Sequence, residues 1–145
     1  MPKATSNPIF DNLILAIGNT TFPKKVTLYF SKLVFKAKVI EVIDGDTFKG
    51  EVDLGFDVTI TRHFRVFGID TPEIFKPKTD SERVRGILAK DRASELLLDK
   101  EVEVKLHGTE KYGRALVEVI LPGNRDYTNL MIQEGFSKTK EMVGA

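Results

Sequence analysis

The chain has no cysteine, no tryptophan and only two histidines, and each gap removes a class of chemistry. Without cysteine there is no disulfide framework, no thiol nucleophile and no zinc held by sulfur. His63 and His107 are too far apart in sequence to suggest a histidine-rich metal centre, and both are read as surface or packing residues. Charge of one sign is also missing. Lys and Arg number 22 against 21 Asp and Glu, so any anion site has to come from local clustering rather than from bulk charge. No apolar run approaches the roughly 20 residues that cross a bilayer; the best candidate, Ile9 to Gly18, is broken by Asp11 and Asn12. That stretch also lacks the basic start and clean small-residue cleavage site of a secretory leader. The expectation is an unprocessed, cytoplasmic chain with no membrane contact. A hard cation held by oxygen ligands stays open.

What is present suits one compact domain with an appendage: 145 residues, 41% apolar and 30% charged, enough to bury a core without a metal or disulfide staple. Residues 1–35 read as an N-terminal extension. Ile9, Phe10, Leu13, Ile14 and Ile17 recur at helical spacing until Gly18-Asn19. Val26, Leu28 and Phe30 then alternate with Thr27 and Tyr29, and Leu33 and Phe35 continue on the other parity. The extension is expected to pack on the domain formed by residues 36–145.

From Lys36 the pattern turns to strands. Ala37, Val39 and Val42 lead into Asp44-Gly45, a tight-turn dipeptide, and Thr47 to Val52 returns. Phe56, Val58, Ile60, Phe64 and Val66 share one parity, with Thr59, Thr61, His63 and Arg65 on the other; Arg62 interrupts the apolar face and suggests an edge or bend. Pro72 stops the strand. Thr79-Asp80-Ser81-Glu82 has capping-box spacing, and Val84, Ile87, Leu88, Ala93, Leu96 and Leu97 form the stripe of a helix ending near Lys100. Val102, Val104 and Leu106, then Ala115, Val117, Val119 and Leu121, predict another hairpin around the 108–113 loop. Asp126 caps a short helix with Leu130 and Met131 that stops at Gly135. Three strands, a helix, two strands and a helix suit a small α+β, mainly β fold: a closed barrel of the oligonucleotide/oligosaccharide-binding (OB) type.

Three clusters place charge beside a turn or strand end: Asp44-Gly45-Asp46-Thr47, Arg65 with Asp70-Thr71-Pro72-Glu73, and Lys111-Tyr112-Gly113-Arg114. Taken singly, each has an ordinary structural reading as a turn, a strand stop or a solvated arginine. Taken together they hold carboxylates for an oxygen-only pocket of the kind Ca²⁺ takes, and arginines whose planar fork suits a phosphate.

In order and spacing these motifs resemble the staphylococcal nuclease-like (thermonuclease) family, whose core reads Asp-Gly-Asp-Thr, Arg, Asp-Thr-Pro-Glu, Tyr-Gly-Arg. The resemblance covers about residues 36 to 140 and implies the five-stranded OB barrel. Carried over position by position, it implies calcium ligands at Asp46, Asp70 and the main-chain carbonyl of Thr71. Glu73 then stands beside the metal through water, Arg65 and Arg114 hold phosphate, and Lys111 and Tyr112 flank the nucleotide. Asp44 is read as structural. The family usually continues past the helix ending at Gly135 into a tyrosine-bearing loop and a third helix; Lys138 to Glu141 offer no aromatic there, and the expectation is a domain without that last helix and with a reduced base-stacking wall. The implied activity is Ca²⁺-dependent endonuclease hydrolysis of DNA and RNA, with single strands favoured, by a monomer that leaves 3′-phosphate and 5′-hydroxyl ends. A silent barrel that binds single-stranded nucleic acid or a protein partner is the alternative. An exported scavenging nuclease ranks below both.

Overall fold

The structure is a computed structural model that describes residues 33–139. The helix and strands expected between Ile9 and Phe30, and their packing on the barrel, lie outside the described residues.

The described chain begins with β1 (Val34–Asp44), so Val34 and Phe35 belong to the barrel and not to the extension. β2 (Thr47–Asp53) and β3 (Thr59–Val66) follow, then β4 (Ile69–Asp70), α1 (Asp80–Leu97), β5 (Glu101–Thr109), β6 (Ala115–Leu121), β7 (Arg125–Asp126), α2 (Tyr127–Gln133) and β8 (Lys138–Thr139). The main sheet runs β3-β2-β1-β5-β6-β7, and β3 also pairs with β6. That last pairing closes five strands into an OB-type barrel, as the element order predicts. It is parallel and short: Phe64 faces Ala115, Arg65 faces Leu116 and Val66 faces Val117. A separate two-stranded ladder joins β4 to β8.

The barrel is filled from alternating positions, including Ala37, Val39 and Val42 of β1, Phe48 and Val52 of β2, Phe64 and Val66 of β3, and Val102, Val104, Val117 and Val119 of β5 and β6. Phe48 and Phe64 stack with centroids 5.1 Å apart. β-Branched and aromatic side chains suit a pleated surface buried on one face.

Two expectations are corrected. Phe56 and Val58 do not continue the buried parity of β3, because residues 54–58 are spent on the turn, and Ile60, within β3, is exposed. Gly55, Phe56 and Asp57 all have positive φ, Leu54 and Val58 bond across the turn, and Phe56 is fully exposed. Next, the buried face of α1 is Gly86, Ala89, Ala93, Leu96 and Leu97, whereas Val84, Ile87 and Leu88 are exposed. Just beyond the helix, Val39 of β1 exchanges backbone hydrogen bonds with Asp99 and Lys100. Gly45 sits in the tight turn that Asp44-Gly45 predicts. It is needed because a Cβ there would come within 2.6 Å of the Thr71 side chain.

Both predicted caps are present. The Thr79 hydroxyl accepts from the Glu82 amide at 3.0 Å, and the Asp126 carboxylate accepts from the Asn129 amide at 3.1 Å. Gly135, in the left-handed region, ends α2 and turns the chain toward Ser137.

Candidate active site

The charged residues meet where β1 turns into β2 and β3 runs out. The turn brings Asp46 down, and β3 aligns Arg65 directly across from Thr47. The Tyr127 ring is fully buried, and its hydroxyl donates to the Gly45 carbonyl at 2.6 Å, so α2 braces the turn from beneath. The Asp46 carboxylate accepts from the Thr71 amide at 2.9 Å and from the Thr47 hydroxyl at 3.1 Å. Arg65 NH2 lies 3.4 Å from Asp46 Oδ2 and 3.4 Å from Asp70 Oδ1, while NH1 donates to the Val66 carbonyl at 2.8 Å. Asp70 is fixed through its backbone: its amide donates to Ser137 Oγ, whose hydroxyl donates back to the Asp70 carbonyl.

Arg65 is therefore not the solvated strand arginine that its outward parity suggests. Its side chain is 10% exposed, as is that of Asp46, whereas Asp70 is 60% exposed. The pair is buried on one side and open on the other. Burial opposes charge on Asp46, but hydrogen bonding with Asp44, the Arg65 guanidinium and the Thr71 amide outweigh it and hold the carboxyl below the usual range. Asp44 goes the other way. Burial and the hydrogen bond and charge of Asp46 push it up to about 7, because two adjacent half-buried carboxylates cannot both ionise cheaply. That fits the structural role expected for it.

Arg114 reaches the same place from the loop before β6, where its NH1 donates to Thr47 Oγ1 at 3.2 Å. Glu110, unremarked in the sequence reading, holds it from behind: one carboxylate oxygen accepts from Arg114 Nε at 3.2 Å and the other from NH2 at 3.1 Å. The same carboxylate accepts the amides of Tyr112 and Arg114. These bonds, led by the guanidinium contact, lower Glu110 to about 2. A glutamate four residues before an arginine across a tight loop was the available signal. Arg62, expected to mark an edge, donates to the Gly113 carbonyl at 3.3 Å and so ties β3 to this loop.

Asp46, Thr47, Arg65, Asp70, Thr71 and Arg114 are thus joined. Glu73 is not bonded to them: it is exposed on the loop after Pro72, and its carboxylate accepts from the Phe75 amide at 3.4 Å. Lys111 and Tyr112 point outward. The Tyr112 ring is 73% exposed, with Lys111 Nζ 4.9 Å from its centroid and the Arg114 guanidinium 5.8 Å away. The histidines play no part: His63 is exposed, and His107 stacks on Phe67 and contacts Glu118.

The donor set holds some of the oxygens that a hard cation takes. Asp46 and Asp70 converge on the single nitrogen of Arg65 NH2, and the Thr71 hydroxyl oxygen beside them is buried without a hydrogen-bond partner. Among the described residues no group of three or more His, Asp or Glu side chains is placed to hold a metal ion. An ion here must therefore complete its shell with backbone and water oxygens, which large, flexible Ca²⁺ tolerates. The site opens onto a groove of about 380 Å³ whose walls include Asp70, Thr71, Pro72, Arg85 and Phe136.

Fold and site together define an OB-type barrel with an acid-and-arginine centre at the mouth of the β1–β2 turn. The model of the staphylococcal nuclease homologue family matches residues 63–145, and the chain belongs to that family. It is 34% identical over 105 residues to a thermonuclease of Staphylococcus hyicus, covering 71% of this chain and 58% of that protein. To a micrococcal nuclease of Shigella flexneri it is 31% identical over 114 residues, covering 71% of this chain and 57% of that one. The chain thus spans a little over half the length of these relatives. The family match begins after the Asp44–Thr47 turn, yet the fold returns that turn to Arg65 and Asp70.

Proposed function

We propose that this protein is a Ca²⁺-dependent nuclease that hydrolyses phosphodiester bonds of DNA and RNA, leaving 3′-phosphate and 5′-hydroxyl ends. The observation that carries the reading is the continuous bonded path from Asp70 through Arg65, Asp46 and Thr47 to Arg114. Two carboxylates and two guanidiniums at one half-open mouth have little value for stability, since buried ion pairs roughly break even against apolar packing. They suit a phosphate that needs positive charge on its oxygens.

A phosphodiester repels nucleophiles, so cleavage requires neutralisation of its charge and a positioned water. Arg114 has three of its five N–H donors engaged by Glu110 and Thr47, which leaves two for a phosphate oxygen and fixes the plane of the fork. Arg65 presents its charge from the inner wall. Asp46 and Asp70, with the Thr71 carbonyl, would hold Ca²⁺, which when bound adds positive charge against the phosphate and acidifies water. Glu73, exposed and bonded to one amide, has lone pairs free to orient and deprotonate the attacking water, a role worth about 10²- to 10⁴-fold. The exposed ring of Tyr112, between two cations, offers a stacking surface for an unpaired base, which favours single strands.

The test is digestion of plasmid and single-stranded substrates by the purified chain in Ca²⁺, in Mg²⁺ and in chelator, with the product ends mapped. Cleavage in Ca²⁺, little in Mg²⁺ and none in chelator is expected. Equal turnover in both ions, or full activity in chelator, rejects the calcium assignment. Tight binding without cleavage under any condition returns the silent-barrel alternative.

A further inference from the structure

Glu73 stands on a surface loop, yet the proposed chemistry needs its carboxylate held in place. Two residues of α1 bear on that loop. Gly86 is buried in the helix interior, where glycine weakens a helix. A Cβ at that position would lie 2.7 Å from the Pro72 carbonyl oxygen, 2.8 Å from Ile74 Cγ1 and 3.2 Å from the Glu73 carbonyl oxygen. The bare backbone of the helix is what lets the loop lie against it.

Glu82 occupies the third helical position after the Thr79 cap, where a capping box would direct its carboxylate to the amide of Thr79 itself. Instead one oxygen accepts from the Lys78 amide at 2.7 Å and the other from the Glu73 amide at 3.5 Å. It clips the two ends of the loop together and leaves its own helix half-capped.

We propose that Gly86 and Glu82 are positioning residues for Glu73: the close approach at Gly86 sets where the loop sits, and the Glu82 carboxylate closes it. This rests on the reading of Glu73 as the base that activates water. Their spacing of four places both on one helix face, so the two act on the same segment.

The experiment combines kinetics of the full chain on a DNA oligonucleotide in Ca²⁺ with amide hydrogen exchange. Gly86→Ala is expected to lower kcat on the order of tenfold or more, because small misplacements of a catalytic group are costly, with KM little changed. In a Glu73→Gln background it should have almost no further effect, since a residue acting through Glu73 loses its lever once Glu73 is gone. Full additivity of the two substitutions, or wild-type kcat in a cooperatively melting Gly86→Ala, overturns the proposal. If Gly86→Ala does not fold, Glu82 decides. Glu82→Ala should speed exchange at the Glu73 and Lys78 amides and lower kcat, while Glu82→Gln, which keeps an acceptor oxygen, recovers most of both. Unchanged exchange, or equal kcat in the two variants, overturns it. Loss of activity in Glu73→Gln alone separates the outcomes: if that variant cleaves like wild type, the nuclease reading of Glu73 fails, and the positioning role falls with it.

Discussion

The ribbon formed by β2 and β3 has two ends of opposite character. At one, Thr47 faces Arg65 and every charged group is tied: Asp46 by Thr47, Thr71 and Arg65, Arg114 by Glu110, and the turn itself by Tyr127. At the other, Asp53 faces Thr59, the turn is held by backbone bonds and by the Asp53 carboxylate on the Gly55 amide, and Leu54, Phe56 and Val58 stand exposed. The first end buries polar groups that would prefer water, and the second exposes apolar groups that would prefer the core. Both run against the usual sorting, but the bonding tells them apart. Buried charge persists only where neighbours over-determine it, and at the exposed turn no such network is needed.

The contrast is broken most strongly by removing the reacting groups. Under the proposed mechanism both residues act on the transition state, so Glu73→Gln and Arg114→Ala should each reduce turnover by about 10²-fold or more; Glu73→Gln should leave the melting temperature near wild type, whereas Arg114→Ala also removes the Glu110 contact and should lower it. Steady-state cleavage rates beside thermal melts check this. Near-normal rates in folded variants would make both residues structural. Next is Arg65→Met, which keeps most of the side-chain bulk but leaves the largely buried Asp46 carboxylate facing Asp70 without a cation. Breaking a buried pair one-sidedly leads to an expected loss of about 3 kcal/mol in chemical denaturation without added metal. An unchanged midpoint would mean that water already screens the pair.

A smaller, pH-dependent effect sharpens the comparison at Glu110. Its carboxyl sits at about 2 in the folded chain against an ordinary 4.5, so the unfolded chain takes up its proton first as pH falls. Its stabilisation is fully present above about 4.5 and is lost as pH drops through about 2. Melts of wild type and Glu110→Gln should therefore converge on acidification. Curves that stay parallel would show that the Arg114 contact contributes nothing to folding. The smallest effect belongs to the bare end: Phe56→Ser should change stability by no more than about 0.5 kcal/mol and leave cleavage rates alone. A larger destabilisation would show that the turn is packed after all.

The pattern of what the sequence disclosed follows from the same contrast. Motifs that act locally were legible: the caps at Thr79 and Asp126, the alternation of β1, β2, β5 and β6, and the four short motifs whose joint order points to the family. Periodicity could not see where a strand begins or stops being covered, so Phe56 fell in the turn and Ile60 kept the right parity in the wrong environment, while Val84, Ile87 and Leu88 of α1 kept helical spacing on an exposed surface. Bonds across the fold were also hidden. Nothing in the spacing says that the Tyr127 hydroxyl goes to Gly45, or that the Glu82 carboxylate leaves its own cap for Lys78.

The parallel β3–β6 pairing has a consequence for how the protein assembles its candidate site. Phe64, Arg65 and Val66 find their β6 partners only after a loop of about fifty residues has closed, as the Arg62–Gly113 bond, with a separation of 51, also requires. Such non-local contacts form late, because the entropy of closure must be met before they return any energy. Arg65 lies in the middle of that seam, and Asp70 waits for Ser137, 67 residues further along. A chain still being synthesised, or one folded as far as its first hairpin and helix, therefore carries the right side chains without a site. Competence arrives as a single late event, when the seam shuts.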